Sequence, residues 1–158
     1  MAVHPISVTS PILPTVQDVP APDPRRTVLI VEDYPAFRMI LSAMVSSLGY
    51  SPLAAADGEA ALAVAASTGV DVLLTDANLP HMHGIELARL FSNRYPDTEL
   101  LLMTGYSRDD LVRRFTTIPP DLAILFKPFG VAALQAALAQ CTRRSHFNEQ
   151  PPRPPLRP

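Results

Sequence analysis

The sequence predicts an α/β protein: a doubly wound parallel sheet of five strands with helices on both faces. Three observations lead there. Between about Arg25 and His146, short apolar runs alternate five times with longer amphipathic or alanine-rich stretches. Two of the runs contain Val28-Leu29-Ile30-Val31 and Val72-Leu73-Leu74, continuously apolar as strands covered on both faces must be. Each parallel crossover requires a connecting helix, and a stretch of suitable length stands after every run.

The strands are expected at Val28–Val31, Pro52–Ala55, Val70–Thr75, Leu100–Met103 and Ala123–Phe126. The first helix, Pro35–Leu48, opens on a proline that suits a first helical turn and sets Phe37, Leu41, Met44 and Leu48 on one face. The second, Gly58–Ser67, is rich in alanine. The third, Gly84–Asn93, turns Ile85, Ala88 and Phe91 inward with Leu87 and Leu90 flanking that stripe. Asp109–Phe115 is short and charged, and Val131–Cys141 closes the series with alanine and leucine. No internal repeat is present.

Outside this unit the composition changes. Of the 18 prolines, 11 lie in the two ends, which read as extended tails over residues 1–24 and 147–158. With 47% hydrophobic residues, 18% charged residues and a net charge of −2, the chain has an ordinary soluble profile that points to neither nucleic acid nor membrane as a partner. The N-terminal stretch lacks the pattern of a secretory signal, and no apolar run reaches membrane-spanning length. A single cysteine, Cys141, cannot form an internal disulfide, so the cytoplasm is the expected compartment and an inert thiol the expected role. Of the 13 basic residues 12 are arginine, and the one lysine, Lys127, lies in Phe-Lys-Pro-Phe. A compact ammonium is not interchangeable with a guanidinium in a tight site.

In folds of this class, ligands bind beyond the C-terminal ends of the strands. There the sequence places Glu32-Asp33 after strand one, Asp76 after strand three, Thr104-Gly105 after strand four and Lys127-Pro128 after strand five. Taken singly, each has a bland account: acidic residues cap helices and shape turns, and a lysine-proline pair suits a solvated loop. Together they are three carboxylates, a hydroxyl and an ammonium at one crevice. Two unit charges about 4 Å apart repel by roughly 4 kcal/mol at an effective dielectric of about 20, so such carboxylates take up protons or a cation. An all-oxygen set suits Mg²⁺, and the ensemble suits a cation and a phosphoryl group held together with Asp76 as nucleophile.

From about Thr27 to Ser145 the chain resembles the receiver domain of two-component response regulators. The motifs that carry the resemblance are Val-Glu-Asp (31–33), Asp-Ala-Asn-Leu-Pro-His-Met-His-Gly (76–84), Met-Thr-Gly (103–105) and Lys-Pro-Phe (127–129). The resemblance implies a flavodoxin-like strand order 2-1-3-4-5 and a phosphorylation switch rather than an enzyme with turnover. Asp76 would accept phosphate from a histidine kinase or histidine phosphotransfer protein. Glu32, Asp33, Asp76 and the backbone carbonyl of Asn78 would hold Mg²⁺. Thr104 and Lys127 would bind the phosphoryl oxygens, while Pro80 and Gly84 would shape the loop after the acceptor. The family commonly carries Tyr or Phe three residues before the lysine, where this chain has Ile124, a β-branched side chain that cannot reproduce an aromatic rotation. Tyr106 is the candidate gate in its place, and Asn78 and Tyr106 occupy positions that influence phosphate lifetime.

Only Thr142–Pro158 follow the last expected helix, so the sequence reads as a stand-alone receiver, monomeric or weakly dimeric. It would act on a downstream protein through the face formed by Asp109–Phe115, strand five and Val131–Cys141. The competing readings are a receiver-like interaction module that works without phosphorylation and a phosphatase of the haloacid-dehalogenase type. The latter needs Asp-x-Asp after strand one, where the chain has Glu32-Asp33-Tyr34-Pro35. A nucleotide-binding protein would need a glycine-rich loop there. His81 and His83 form His-x-His but lack a further soft ligand, and read as loop residues.

Overall fold

A computed structural model describes residues 26–148. Strands and helices alternate along it: β1 (Thr27–Val31), α1 (Pro35–Ser47), β2 (Ser51–Ala55), α2 (Gly58–Ser67), β3 (Val72–Asp76), α3 (Gly84–Arg94), β4 (Glu99–Thr104), α4 (Arg108–Arg114), β5 (Ala123–Phe126) and α5 (Val131–Asn148). All strand pairings are parallel, and the sheet order is β2-β1-β3-β4-β5. This is the doubly wound, flavodoxin-like sheet the sequence predicts. Most of the proline-rich ends lies outside the described residues. Among the described residues no helix is long and apolar enough to cross a membrane.

The continuously apolar strands bury both of their faces. Val28 and Ile30 pack with Leu41 and Val45 of α1 and Leu134, Leu138 and Cys141 of α5. Leu29 and Val31 face the other way, onto Ala61 and Ala65 of α2 and Leu87, Ala88 and Phe91 of α3. Helix α4 covers the end of that second layer with Leu111 against Ala77, Ile85 and Leu102. Cys141 is buried at 3% exposure in the α1–α5 layer, in keeping with an inert thiol. Pro52 sits in an edge strand, where a missing N–H is tolerated.

Local chemistry explains the element ends. The α1 stripe includes Val45 as well as Leu41, with Phe37, Met44 and Leu48 half-buried beside them. Leu48 caps α1 rather than extending it, because Gly49 adopts φ 87° and turns the chain. Gly49 N–H donates to Ser46 O at 3.0 Å and Tyr50 N–H to Val45 O at 3.3 Å, which closes a Schellman motif over the last turn. Asp57 caps α2 by accepting from Ala60 N–H at 2.8 Å, and Ser107 caps α4 by accepting from Asp110 N–H.

Two boundaries differ from expectation by more than one residue. Strand β3 begins at Val72 instead of Val70 and ends on Asp76 itself. Asp71 is occupied at the strand entrance, where its carboxylate accepts from Thr27 N–H at 2.6 Å. Helix α5 continues past Cys141 to Asn148, through a segment that has neither proline nor glycine to stop it.

Phe91 is the largest fully buried side chain of the fold. Phe91→Ala should cost about 3–5 kcal/mol of unfolding free energy, read from the midpoint of urea denaturation.

Candidate functional site

The strand register brings four chain ends level. Val31 pairs with Thr75, Asp76 with Met103, and Thr104 with Phe126. One residue further on, Glu32 leaves β1 and Lys127 leaves β5. The connection from β1 runs to β2 on one side while β3 lies on the other, so the crevice between β1 and β3 is the topological switch point of the sheet. Glu32 and Asp76 stand at its two lips.

The structure gathers the acidic residues and the lysine into one cluster. Carboxylate oxygens of Glu32, Asp33 and Asp76 lie within 4.8 Å of one another. Lys127 Nζ donates to Asp76 Oδ1 at 2.9 Å and stands 3.6 Å from Glu32 Oε2. Glu32 is only 3% exposed and Asp76 7%, whereas Asp33 faces solvent. The separation of 3.6 Å is an ion pair but too long for a hydrogen bond. Among the described residues Glu32 Oε2 is thus a buried oxygen without a hydrogen-bond partner. Its twin, Oε1, accepts from Tyr34 N–H at 3.2 Å.

Burial pushes the Glu32 carboxyl above its ordinary pKa of 4.5. Lys127 and the Tyr34 N–H oppose that rise, while the charges of Asp76 and Asp33 add to it. A buried, unbonded carboxylate oxygen facing two other carboxylates is the donor set of a hard cation, and the residues fit Mg²⁺.

The backbone around the site is held by short contacts. Ala77 N–H donates to Met103 O at 2.9 Å, and Lys127 N–H to Thr104 O at 2.7 Å. The Lys127–Pro128 peptide is cis. Behind Asp76, Gly84 N–H donates to Ala77 O at 3.0 Å and closes the loop from 77 to 84. Within that loop His81 takes φ 66°, and Met82 N–H reaches back to Pro80 O at 2.8 Å. A Cβ at position 84 would lie 1.9 Å from the Asp76 carbonyl oxygen, so only glycine fits against that backbone.

Thr104 is fully buried at the end of β4, and its Oγ1 accepts from Tyr106 N–H at 3.0 Å. Tyr106 in turn donates from its hydroxyl to Asn78 Oδ1 at 2.9 Å, and the Arg114 guanidinium lies 4.5 Å above its ring. Asn78 itself is exposed. Ile124 is half-buried in the α4 layer, in the same cluster as Tyr106 and Phe115. His81 and His83 are exposed and lie outside the acidic cluster; the His83 ring meets Phe115 edge-on at 5.6 Å.

Two neighbours of the site were not anticipated. Arg38 donates from Nη1 to the carbonyl oxygens of Glu32 at 2.5 Å and Asp33 at 3.3 Å, and so holds the acidic pair by its backbone. Phe37, read from the sequence as a core-facing residue, brings its ring to within 5.0 Å of Lys127 Nζ. Their place on the first turn of α1, directly after the acidic pair, was the available signal.

Three outcomes follow from this geometry. Gly84→Ala must displace the backbone that carries Asp76, so it should lose at least about 2 kcal/mol of stability in a denaturant titration. For Glu32, the folded pKa lies above the unfolded one, so its contribution to stability is full below the ordinary value and is lost as pH rises through the raised one. Glu32→Gln should therefore raise the melting temperature of the metal-free protein at pH 7–8, with the advantage shrinking as pH falls toward 4. The same variant should bind Mg²⁺ more weakly, as followed by the melting shift on adding Mg²⁺.

Residues 28–139 match the family model of the response regulator receiver domain. The virulence sensor protein BvgS of Bordetella pertussis is 34% identical over 131 residues, which cover 78% of this chain and 10% of BvgS. The chain thus spans about a tenth of the length of the curated relatives first in similarity. Among solved structures, the signal receiver domain of an HD domain-containing protein from Pseudomonas fluorescens superposes with a TM-score of 0.71. It has 29% identity and covers 78% of this chain and 98% of that one. The response regulator TrrA of Thermotoga maritima, solved in complex with Mg²⁺ and BeF, superposes with a TM-score of 0.64. It has 26% identity and covers 73% and 98% of the two chains. With the five-stranded sheet and the acidic crevice at its switch point, these matches make the chain a member of the response regulator receiver domain family.

Proposed function

We propose that this domain is a phosphoacceptor switch in a two-component phosphorelay, with Asp76 as the residue that is phosphorylated. The observation that carries the reading is the 2.9 Å contact of the lone lysine's ammonium with Asp76, beside two further carboxylates at the switch point.

Asp76 is only slightly exposed, ends β3 and is backed by a backbone that admits no side chain at position 84. One of its carboxylate oxygens attacks the phosphorus of a phosphohistidine on a kinase or phosphotransfer protein. The oxygen–phosphorus bond forms, the phosphorus–nitrogen bond breaks, and the imidazole leaves with the electron pair and takes up a proton. Phosphoryl transfer asks the protein mainly for positioning and charge neutralisation. Glu32, Asp33, Asp76 and the Asn78 carbonyl would hold Mg²⁺, which when bound neutralises charge on the phosphoryl oxygens. Lys127 exchanges its contact with Asp76 for one with a phosphoryl oxygen. The Thr104 hydroxyl, which accepts from Tyr106 N–H, has its own proton to donate to another. Tyr106 and Asn78, joined at 2.9 Å, border the approach to the acceptor and modulate the lifetime of the phosphate.

The domain works in the cytoplasm and signals through protein contacts on α4, β5 and α5. Support for that face comes from large apolar side chains left open to solvent: Val112 at 64%, Val131 at 44% and Phe126 at 42% exposure. The similarity to a sensor protein is in keeping with a histidine-kinase partner. A second reading, an interaction module that needs no phosphate, draws on Ile124, whose side chain packs into the α4 layer where the family commonly has an aromatic ring.

Mass spectrometry after incubation with Mg²⁺ and acetyl phosphate separates the two. The phosphoacceptor reading expects a labile gain of one phosphoryl group that requires Mg²⁺ and is absent in Asp76→Asn. A folded, Mg²⁺-binding protein that gains nothing from acetyl phosphate or from a phosphorylated histidine donor would leave the phosphate-free module standing.

A further inference from the structure

The ammonium of Lys127 is bounded on three sides. Two of its neighbours are carboxylates, Asp76 at 2.9 Å and Glu32 at 3.6 Å. The third is the ring of Phe37, whose centroid lies 5.0 Å from Nζ, inside the range of about 6 Å over which a ring face attracts a cation. Phe37 stands in the first turn of α1, and its ring is braced by that of Phe129 at a centroid distance of 6.3 Å and an inclination of 54°. The ammonium thus lies over one aromatic ring, which a second ring braces from the loop after β5.

A lysine side chain has four flexible carbons, and at 29% side-chain exposure this one also has access to water. The carboxylates alone pull the ammonium to a fixed oxygen. A ring face attracts it without a directional bond, so the ammonium stays confined while it pivots from one oxygen to another. A third carboxylate in the place of Phe37 would capture it, and an aliphatic side chain would fill the space with no attraction.

We propose that Phe37 is a positioning residue for phosphoryl transfer, its ring face holding the Lys127 ammonium against Asp76 and steering it onto the incoming phosphoryl oxygen. The inference rests on the reading of Asp76 as acceptor.

Lys127 is the only lysine in the chain, so protein labelled with ¹³C,¹⁵N-lysine reports on this side chain alone by nuclear magnetic resonance. Its ε-protons should be displaced upfield by the ring current, and the displacement should vanish in Phe37→Leu. Site-specific replacement of Phe37 by mono-, di- and pentafluorinated phenylalanine weakens the ring face at nearly constant volume. The rate of phosphorylation by acetyl phosphate should fall stepwise through that series. It should end about 3- to 10-fold below wild type, with Phe37→Leu equally slow and Phe37→Tyr close to wild type. Mg²⁺ affinity should not move, as it would if the substitutions merely loosened the acidic loop. Rates that stay flat across the series, with the Asp76 adduct still forming, would overturn the role of Phe37 and leave the acceptor reading intact. An undisplaced wild-type ε-proton signal would also overturn it. A displaced signal with no adduct in any variant would overturn the acceptor reading, and the role assigned to Phe37 with it.

Discussion

The site depends on one electrostatic problem and its partial solution: three carboxylates at the mouth of a parallel sheet, with a single ammonium among them. Lys127 can meet Asp76 closely and Glu32 only at ion-pair distance, so one buried carboxylate oxygen is left without a hydrogen bond. A fully compensated cluster would be a salt bridge with no capacity to receive anything. Here the shortfall fits a cation supplied from solution. The fold brings the members together by register rather than by sequence proximity, since Glu32 and Lys127 are far apart in the chain and meet because β1 and β5 end at one level.

The scaffold meets this demand by being rigid where the charges are. The central strands are buried on both faces, and the backbone of Asp76 is pinned on one side by β4 and on the other by the closed loop to Gly84. Arg38 holds the acidic pair through carbonyl oxygens, which leaves the Glu32 carboxylate to the Tyr34 N–H and Lys127. Preorganisation of this kind matters for phosphoryl transfer, where the protein contributes geometry and charge and little covalent chemistry.

Much of the architecture was legible in the residues. Apolar runs such as Val28–Val31 and the proline opening α1 mark their elements because burial on both faces and the fixed proline torsion leave few alternatives. Glu32, Asp33, Asp76, Thr104 and Lys127 were legible as positions at strand ends, since a parallel sheet brings those ends together. What the sequence could not carry were effects made by tertiary geometry. That Asp71 would be drawn into the strand entrance depends on where Thr27 lies, and the run of α5 to Asn148 depends on what fails to stop it. Phe37 satisfied a helical stripe equally well as plain core, and its approach to Lys127 appears only once β5 is set beside α1. Likewise, nothing in the spacing of Asn78, Tyr106 and Arg114 announces that a hydroxyl and a ring would connect them.

The close approach at Gly84 has a consequence for how this sequence can change. Every amino-acid replacement reachable by a single base change in a glycine codon carries a Cβ, and at this position that atom would collide with the carbonyl of Asp76. The loop from 77 to 84, the glycine that closes it and the end of β3 are therefore sterically coupled. Exposed positions of the helices, such as Val112 and Val131, are free to change one residue at a time. A change at this corner requires a compensating shift of the Asp76 backbone.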